Sequence, residues 1–463
     1  MNEASLPEQS KIQFSTGLFL GATVVGIILS LLASTKFGLI AALIIPATIG
    51  LVFATLSLEF ATYLTIFALF TQFANGLDLP GGFFFITVYF LFVIFLHQFL
   101  TQDNTFYISK QTPIVFLFIF SLLVSIIDSA APEVSYTALV EYMKSILLYF
   151  IFSNIINNEH FLKRVALMII FSILVSTFYG YFVFLSEFAQ GDYLSAGFRL
   201  RGLMGNPNHF GLNLIIVTTF LCYFALTFRL SKVQNTILMF TVFGLLISIA
   251  STFSRAAIIA VAVLICILSW QYRRKIWPVA LLCALLIAII IFIPPEMVDR
   301  MTVIMNPEQD PSLRWRLKLY LGAIDLIQQN PITGIGLGNF LPLSVNYIGR
   351  YLVVHNSFLE LWAECGFIAL AAFVALFWSS NKMLRQTIFN YSKSNNKMMI
   401  VIAMTLKTLL VPFAISAMFN SIQSYNILWS IFAFATVLFR LSKEDEAGTG
   451  RLQDMRTATL PPS

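Results

Sequence analysis

The sequence has little charge. Only 11% of its 463 residues are Asp, Glu, Lys or Arg, whereas 58% are hydrophobic and 15% are aromatic. A soluble protein carries about 25% charged residues, because its surface must be hydrated. The scarcity of charge therefore excludes a soluble globular protein and a nucleic-acid-binding protein, and it predicts that most of the surface faces lipid.

Cysteines and metal-binding motifs are also scarce. The four cysteines lie in or beside apolar runs, which argues against a disulfide framework and against a CxxC metal site. The sequence contains no HExxH pair, no carboxylate cluster that resembles a divalent-metal site and no Walker motif. The GxGxG pattern at 334–338 lacks the preceding strand and the spacing of a dinucleotide-binding fingerprint. We expect neither a metal nor another cofactor.

What the sequence does contain is long apolar runs. A membrane-spanning helix needs about 20 apolar residues. The chain is therefore predicted to be an all-α polytopic membrane protein with about fourteen transmembrane helices, or twelve if the crowded regions 38–75 and 235–271 each hold one fewer. The predicted spans are 14–33, 38–56, 58–75, 82–100, 113–130, 138–156, 164–187, 209–228, 235–252, 254–271, 276–293, 355–378, 397–419 and 424–441.

The hydropathy pattern divides the chain into six regions. Three are bundles of transmembrane helices, and three are not membrane-embedded. They are an N-terminal transmembrane region at 1–187, an external loop at 188–208, transmembrane helices at 209–293, a large external loop at 294–354, C-terminal transmembrane helices at 355–441, and a polar tail at 442–463 that is predicted to be disordered.

Basic residues predict the orientation. Short cytoplasmic loops are rich in Lys and Arg. With the N-terminus inside, one set of loops holds nearly all the basic residues, so both termini are predicted to be cytoplasmic and the 294–354 loop periplasmic. The basic residues of the inner loops are Lys110, Lys163, Arg164, Arg229, Lys232, Arg273, Arg274, Lys275, Lys382, Arg385, Lys393 and Lys397.

A few arginines break this rule. Arg199 and Arg201 lie in the external 188–208 loop, and Arg255 begins a helix at the same boundary. A guanidinium near lipid is costly unless it is paired or hydrated, and its planar fork suits phosphate oxygens. An anionic ligand explains several such arginines together, whereas a single one can equally contact lipid phosphates. Arg314 and Arg316 in the next external loop are supporting candidates.

Helix starts at this boundary add polar groups to the predicted anion site. Asn208 and His209 follow a turn-rich segment at 202–208, and Ser254 is predicted to cap the helix that begins at Arg255. His355, followed by Asn356, is predicted to begin another helix, whose dipole would keep the imidazole neutral as a general base requires. The alternatives are that His209 is the base, or that His355 is only an interfacial side chain.

The 294–354 loop is predicted to contain an amphipathic helix. Apolar residues recur at helical spacing, and charged residues lie mostly between them, so the helix is expected to lie on the membrane over the site. The apolar positions are Leu313, Leu317, Tyr320, Leu321, Ile324 and Ile327.

Charged residues within the predicted spans include Glu141, Lys144 and Lys407. Glu141 and Lys144 are three residues apart on one helical face and are expected to pair. Lys407 is expected to form a structural salt bridge, although a charge inside the membrane is by default functional.

Several short motifs resemble the O-antigen ligase and Wzy-type polysaccharide polymerase superfamily. The resemblance covers about 195–380, and the order and common side of the motifs make it fairly specific. The motifs are Arg201-Gly202 with Asn206-Pro207-Asn208, then Ser254-Arg255-Ala256, then Arg314-Trp315 leading to Pro331 and Gly334-Ile335-Gly336, and finally His355-Asn356 through Glu360 to Glu364-Cys365-Gly366.

The resemblance implies a metal-independent, inverting glycosyltransferase of the GT-C fold at the periplasmic face of the bacterial inner membrane. Its donor would be a glycan on undecaprenyl diphosphate, and its acceptor a hydroxyl of lipid A-core or of another glycan. By resemblance, Arg201 and Arg255 would bind the diphosphate, and His355 would accept the proton of the attacking hydroxyl. The predicted helix count exceeds the roughly twelve of the ligases. A lipid-linked oligosaccharide flippase or transporter and a protein O-oligosaccharyltransferase remain alternatives.

Overall fold

The computed structural model describes residues 58–73, 106–127, 129–190, 199–272 and 311–458, together with single residues between 88 and 95. The chain divides into two compact units, Met1–Ala61 and Thr62–Ser463. Only residues 58–61 of the first unit are among the described ones. The predicted spans 14–33, 38–56 and 276–293, and most of 82–100, lie outside the described residues.

The described residues form α-helices with the turns and loops next to them, including one 3-10 turn at Gly202–Met204, and contain no strand. The all-α prediction is therefore confirmed for this part of the chain. The helices are α1 (Leu58–Thr71), α2 (Thr112–Ile127), α3 (Pro132–Ile155), α4 (Glu159–Ala189), α5 (Pro207–Thr227), α6 (Lys232–Ser251), α7 (Arg255–Gln271), α8 (Pro311–Gln329), α9 (Phe340–Ile348), α10 (Ser357–Lys393), α11 (Lys397–Ala417) and α12 (Asn426–Ala458).

Ten of the fourteen predicted spans coincide with one of these helices. Six helices, α3, α4, α5, α6, α10 and α11, are long and apolar enough to cross a membrane. The apolar helices α1, α2 and α7 are shorter. The chain is therefore a multi-pass membrane protein by the length and composition of its helices, while the total of fourteen stays a prediction.

Helix α10 lies at the centre of the bundle. It packs against α2, α11 and α12, while α11 also contacts α5 and α7. Aromatic rings fill the first of these interfaces: Phe118 lies 5.5 Å from the Trp429 ring and 6.3 Å from the Phe373 ring, and all three side chains are buried. Burying one such side chain stabilises a fold by about 1.5–3 kcal/mol.

Helix α10 is broken at Gly366, which has φ +77°. The prediction of one continuous span at 355–378 is wrong in this respect, because the Pro331–Gly338 loop inserts at the break. The Ile335 and Gly336 amides donate to the carbonyls of Ala363 and Glu364, both at 3.0 Å, and the Phe367 amide donates to Pro331 O at 3.0 Å. The loop with the GxGxG pattern thus supplies hydrogen-bond partners for the backbone groups that the break in α10 leaves unpaired.

Helix α8 has two apolar faces rather than the single predicted one. Leu319, Ala323, Leu326 and Ile327 are buried against α9 and the start of α10. Leu317, Leu321 and Ile324 are 60%, 58% and 41% exposed, so their apolar face is available for the predicted contact with the membrane. The periodicity predicts the helix and this face, but not the second apolar face that packs against α9 and α10.

Three further expectations can be compared with the structure. Lys144 Nζ lies 2.7 Å from Glu141 Oε1, so the predicted ion pair is confirmed. Lys407 makes no ion pair with a described residue, so the expected salt bridge is not found in this part of the chain.

Helix α12 continues beyond the predicted span 424–441 to Ala458, through most of the tail for which the sequence predicts disorder. Charged helix-forming residues favour this extension, and Glu446 pairs with Lys393 at 2.9 Å and with Lys443 at 3.1 Å.

Candidate functional site

Three helices, α5, α7 and α10, begin at one end of the bundle. Each has a polar N-cap: the side chain of Asn206 accepts from the His209 amide, that of Ser254 from the Ala257 amide, and that of Asn356 from the Phe358 amide. The predicted Ser254 cap is thereby confirmed. The N-terminus of a helix carries partial positive charge and favours anions.

The starts of α5 and α7 lie side by side. A Cβ placed on Gly211 would lie 2.6 Å from the Ala257 Cβ, so the two helices approach closely one turn below their starts. The Leu200 amide also donates to Ser251 O at 2.9 Å, which ties the segment before α5 to the end of α6. These contacts bring the Arg199–Arg201 segment next to Arg255.

Arg199 joins the two helix starts. Its Nε donates to Thr252 O at 2.8 Å, and its Nη2 lies 3.2 Å from Phe253 O and 3.3 Å from Asn208 Oδ1. Because its guanidinium donates to three groups of the protein, Arg199 acts as a brace between α5 and the α6–α7 turn. The side chain of Asn208 accepts one of these hydrogen bonds.

Arg201 and Arg255 lie near this brace. Arg201 Nη2 lies 2.9 Å from Glu187 Oε1 near the end of α4, and the Arg201 side chain is 41% exposed. Arg255 is the first residue of α7 and is half-buried. Both guanidinium groups belong to residues that flank the α5 and α7 helix starts, where an anion is favoured.

A turn at 418–425 links this region to α10. On one side, the Tyr425 ring packs on the His209 ring with centroids 4.6 Å apart. On the other, Ser357 Oγ donates to Asn420 O at 2.8 Å, and the Ile422 amide donates to Ser357 Oγ at 2.8 Å. The 418–425 turn therefore holds the starts of α5 and α10 together.

His355 precedes the α10 helix rather than beginning it. Its backbone is left-handed at φ +59°, and the helix is capped by the next residue, Asn356. A positive φ is uncommon for a residue with a side chain and is costly unless neighbours hold it. Tyr320 Oη supplies one such contact, because it lies 3.3 Å from both His355 O and Met418 O.

Arg316 lies beside His355. Its Nη1 donates to Phe419 O at 3.5 Å. Partial burial lowers the pKa of His355 below its usual value, and the positive charge of Arg316 lowers it further. Burial and Arg316 thus both favour the neutral imidazole, as expected for a base.

The predicted site residues therefore fall into two linked groups. Arg199, Arg201, Asn208, His209 and Arg255 surround the starts of α5 and α7, while Arg316, His355 and Asn356 surround the start of α10. Arg314 is exposed on α8 and contacts neither group among the described residues.

The residues that sequence reasoning misses are those of the 418–425 turn, together with Tyr320 and Glu360 as partners of the His355 segment. A signal is present in the turn, because Asn420, Ser421 and Gln423 are polar residues crowded between two apolar spans on the predicted outer side. Among the described residues, no group of three or more His, Cys, Asp or Glu side chains is arranged to hold a metal ion.

A family model matches the part of the chain that contains Arg255 and the group around His355. Residues 240–374, less than a third of the chain, match the O-antigen ligase family model. The matched range contains Arg255, Arg316 and His355 and ends beyond the break in α10. It confirms the resemblance to the O-antigen ligase superfamily. No curated protein matches the chain.

Proposed function

From the match of residues 240–374 to the O-antigen ligase family, we propose that this membrane protein transfers a glycan from an undecaprenyl-diphosphate carrier to an acceptor hydroxyl. The acceptor is lipid A-core or a growing glycan. The reaction is an inverting, metal-independent glycosyl transfer at the periplasmic face of the inner membrane, in a GT-C-type fold.

One observation carries this proposal. Arginines and a neutral histidine lie around helix N-termini that meet at one end of an apolar bundle, and the 418–425 turn joins them. A lipid diphosphate presents two anionic groups at the membrane boundary. Cations and helix N-termini at that depth can bind it while the lipid tail stays among the helices.

The reaction needs a base and charge neutralisation. His355 accepts the proton of the acceptor hydroxyl as its oxygen attacks the anomeric carbon, and the bond from that carbon to the diphosphate oxygen breaks. Arg255 and Arg201 bind the departing diphosphate, with the Arg201–Glu187 contact opening to release the guanidinium. Arg316 keeps His355 neutral between turnovers.

The charge distribution supports the orientation. Basic residues gather at the opposite end of the bundle, where α4, α6 and α11 begin. They include Lys163, Arg229, Lys232 and Lys397. Since positive charge marks the cytoplasmic side, the end that carries His355 faces the periplasm and both termini are cytoplasmic.

The test is glycan transfer in membranes with defined lipid-linked donor and separate acceptors: lipid A-core, a lipid-linked glycan, and a protein. We expect His355→Ala and Arg255→Ala to lower transfer at least about 100-fold, because each removes a group that acts on the reacting atoms. The acceptor that is used distinguishes ligation, polymerisation and protein glycosylation.

Two matched controls lie at the other end of the bundle. His160→Ala and Arg229→Ala remove exposed side chains and should retain wild-type transfer. Wild-type transfer by a correctly inserted His355→Ala protein would contradict the assigned base. Donor movement across the membrane without transfer to any acceptor would instead support a flippase.

A further inference from the structure

Glu360 connects the His355 segment to the 418–425 turn. The side chain is 6% exposed and lies in the first turns of α10, at the site end of the bundle. Its carboxylate accepts hydrogen bonds from three described groups: the Val354 amide at 3.0 Å, Gln423 Nε2 at 2.6 Å, and the Ser421 hydroxyl. One donor precedes His355, and the other two belong to the turn.

These contacts bear directly on the backbone of His355. Val354 is the residue immediately before it, and its amide is fixed by Glu360. The carbonyl of His355 itself is contacted by Tyr320 Oη. The left-handed conformation at φ +59° is therefore held by two side chains: the Glu360 carboxylate on the residue before it and the Tyr320 hydroxyl on its own carbonyl.

The turn is held by the same carboxylate. Ser421 and Gln423 donate to Glu360, while Tyr425, further along the turn, packs on His209 at the start of α5. Glu360 thus joins the His355 segment to the 418–425 turn, together with Ser357 and Tyr320, and this turn reaches the arginine-bearing helix starts.

We propose that Glu360 is a positioning residue for His355: it fixes the strained backbone of the general base against the 418–425 turn. The proposal rests on the proposed function for its kinetic consequence. Glu360 does not touch the substrate; it acts through Val354 and the turn. A displacement of about 1 Å in a catalytic group can cost about 100-fold in rate.

The conservative variant discriminates hydrogen bonding from charge. In Glu360→Gln, the side-chain oxygen can accept from Val354, and the new amide can donate to Gln423 Oε1, which has no partner among the described residues. We expect Glu360→Ala to lower kcat at least about 10-fold with KM changed less than about threefold. Glu360→Gln should keep kcat within about threefold of wild type.

A second readout does not depend on turnover. Diethyl pyrocarbonate modifies accessible neutral imidazoles, and mass spectrometry gives a rate for each histidine. We expect modification of His355 to become at least about threefold faster in Glu360→Ala, because its backbone is released. His160, exposed at the other end of the bundle, should keep its wild-type rate in the same sample.

If the Glu360→Ala protein does not insert into the membrane, the double variant Ser421→Ala/Gln423→Ala is measured instead. It removes both hydrogen bonds from the turn to Glu360 and leaves the Val354 contact intact. The same fall in kcat and rise in His355 reactivity are expected. Wild-type kcat and wild-type His355 reactivity in the inserted variant would overturn the proposal. If the wild-type protein transfers no glycan, the proposed function fails, and the reactivity of His355 alone decides the positioning role.

Discussion

The two ends of the helix bundle use their basic residues differently. At the end where α4 and α11 begin, lysines pair with carboxylates through side chains alone: Lys163 Nζ lies 3.2 Å from Glu159 Oε2, and Lys393 Nζ lies 2.9 Å from Glu446 Oε1. At the other end, Arg199 and Arg316 donate to main-chain carbonyls. The first kind of contact adjusts freely, whereas the second fixes the backbone.

This difference separates charge that marks topology from charge that builds a site. A partly exposed ion pair contributes about 0–1 kcal/mol, and a lysine at a neighbouring position can form an equivalent pair. A guanidinium that donates to turn carbonyls determines where neighbouring helices begin. Each end has an exception: Arg440 at the lysine-rich end donates to the carbonyls of Ser153 and Ile156, and Arg201 at the other end pairs with the Glu187 side chain.

The largest effect is expected at the break in α10. In Gly366→Ala, the new Cβ would lie 1.8 Å from Ile332 O at a φ of +77°, so the loop must leave the break. We expect a loss of about 4 kcal/mol and little folded protein. Thermal stability by fluorescence-detected size-exclusion chromatography measures it.

The control for this substitution is Gly244→Ala in α6. No atom lies within 4 Å of the added Cβ, and alanine favours the helix by about 0.5–1 kcal/mol. A Gly366→Ala protein as stable as the Gly244→Ala protein would show that the loop inserted at the break in α10 does not stabilise the end of the bundle that carries His355.

The second prediction compares the two kinds of basic residue directly. Arg199→Ala removes hydrogen bonds to Thr252 O and Phe253 O and should cost about 1.5–3 kcal/mol. Lys393→Ala removes an exposed ion pair with Glu446 and should lower the thermal midpoint clearly less than Arg199→Ala. Equal shifts in the thermal midpoint of the two variants would remove the distinction between the ends.

The smallest effect concerns pH. Arg316 helps to lower the pKa of His355, so Arg316→Gln should raise that pKa. Since neutral imidazole is the active form, activity is lost as pH falls through the pKa, and the acid limb of kcat/KM should move to higher pH. Lys318→Gln, an exposed neighbour on α8, should leave the limb in place. An unmoved limb in Arg316→Gln would argue against His355 as the titrating base.

The helices and the location of the candidate site follow from local sequence. Apolar runs predict α3 to α7 and α11 closely, because a run of that length has few other stable arrangements in lipid. The excess arginines of one boundary identify Arg199, Arg201 and Arg255, because charge there opposes the topological bias.

The remaining features depend on contacts between distant segments. The break in α10 requires the Pro331–Gly338 loop, which lies outside the apolar run in which Gly366 occurs. Arg199 acts as a brace because it donates to the carbonyls of Thr252 and Phe253. Every residue has a backbone carbonyl, so the sequence does not show which of them accepts a hydrogen bond. Residue type therefore predicts which residues are unusual for their position relative to the membrane, but not which of them form hydrogen bonds with the backbone.

The left-handed backbone at position 355 implies a trade-off between stability and activity. Glycine adopts φ +59° without strain, whereas histidine there costs on the order of 1 kcal/mol. His355→Gly should therefore be more stable than His355→Ala while being equally unable to accept a proton. The native histidine keeps a strained conformation that a more stable protein would give up, as is common where a reactive group must be held in one orientation.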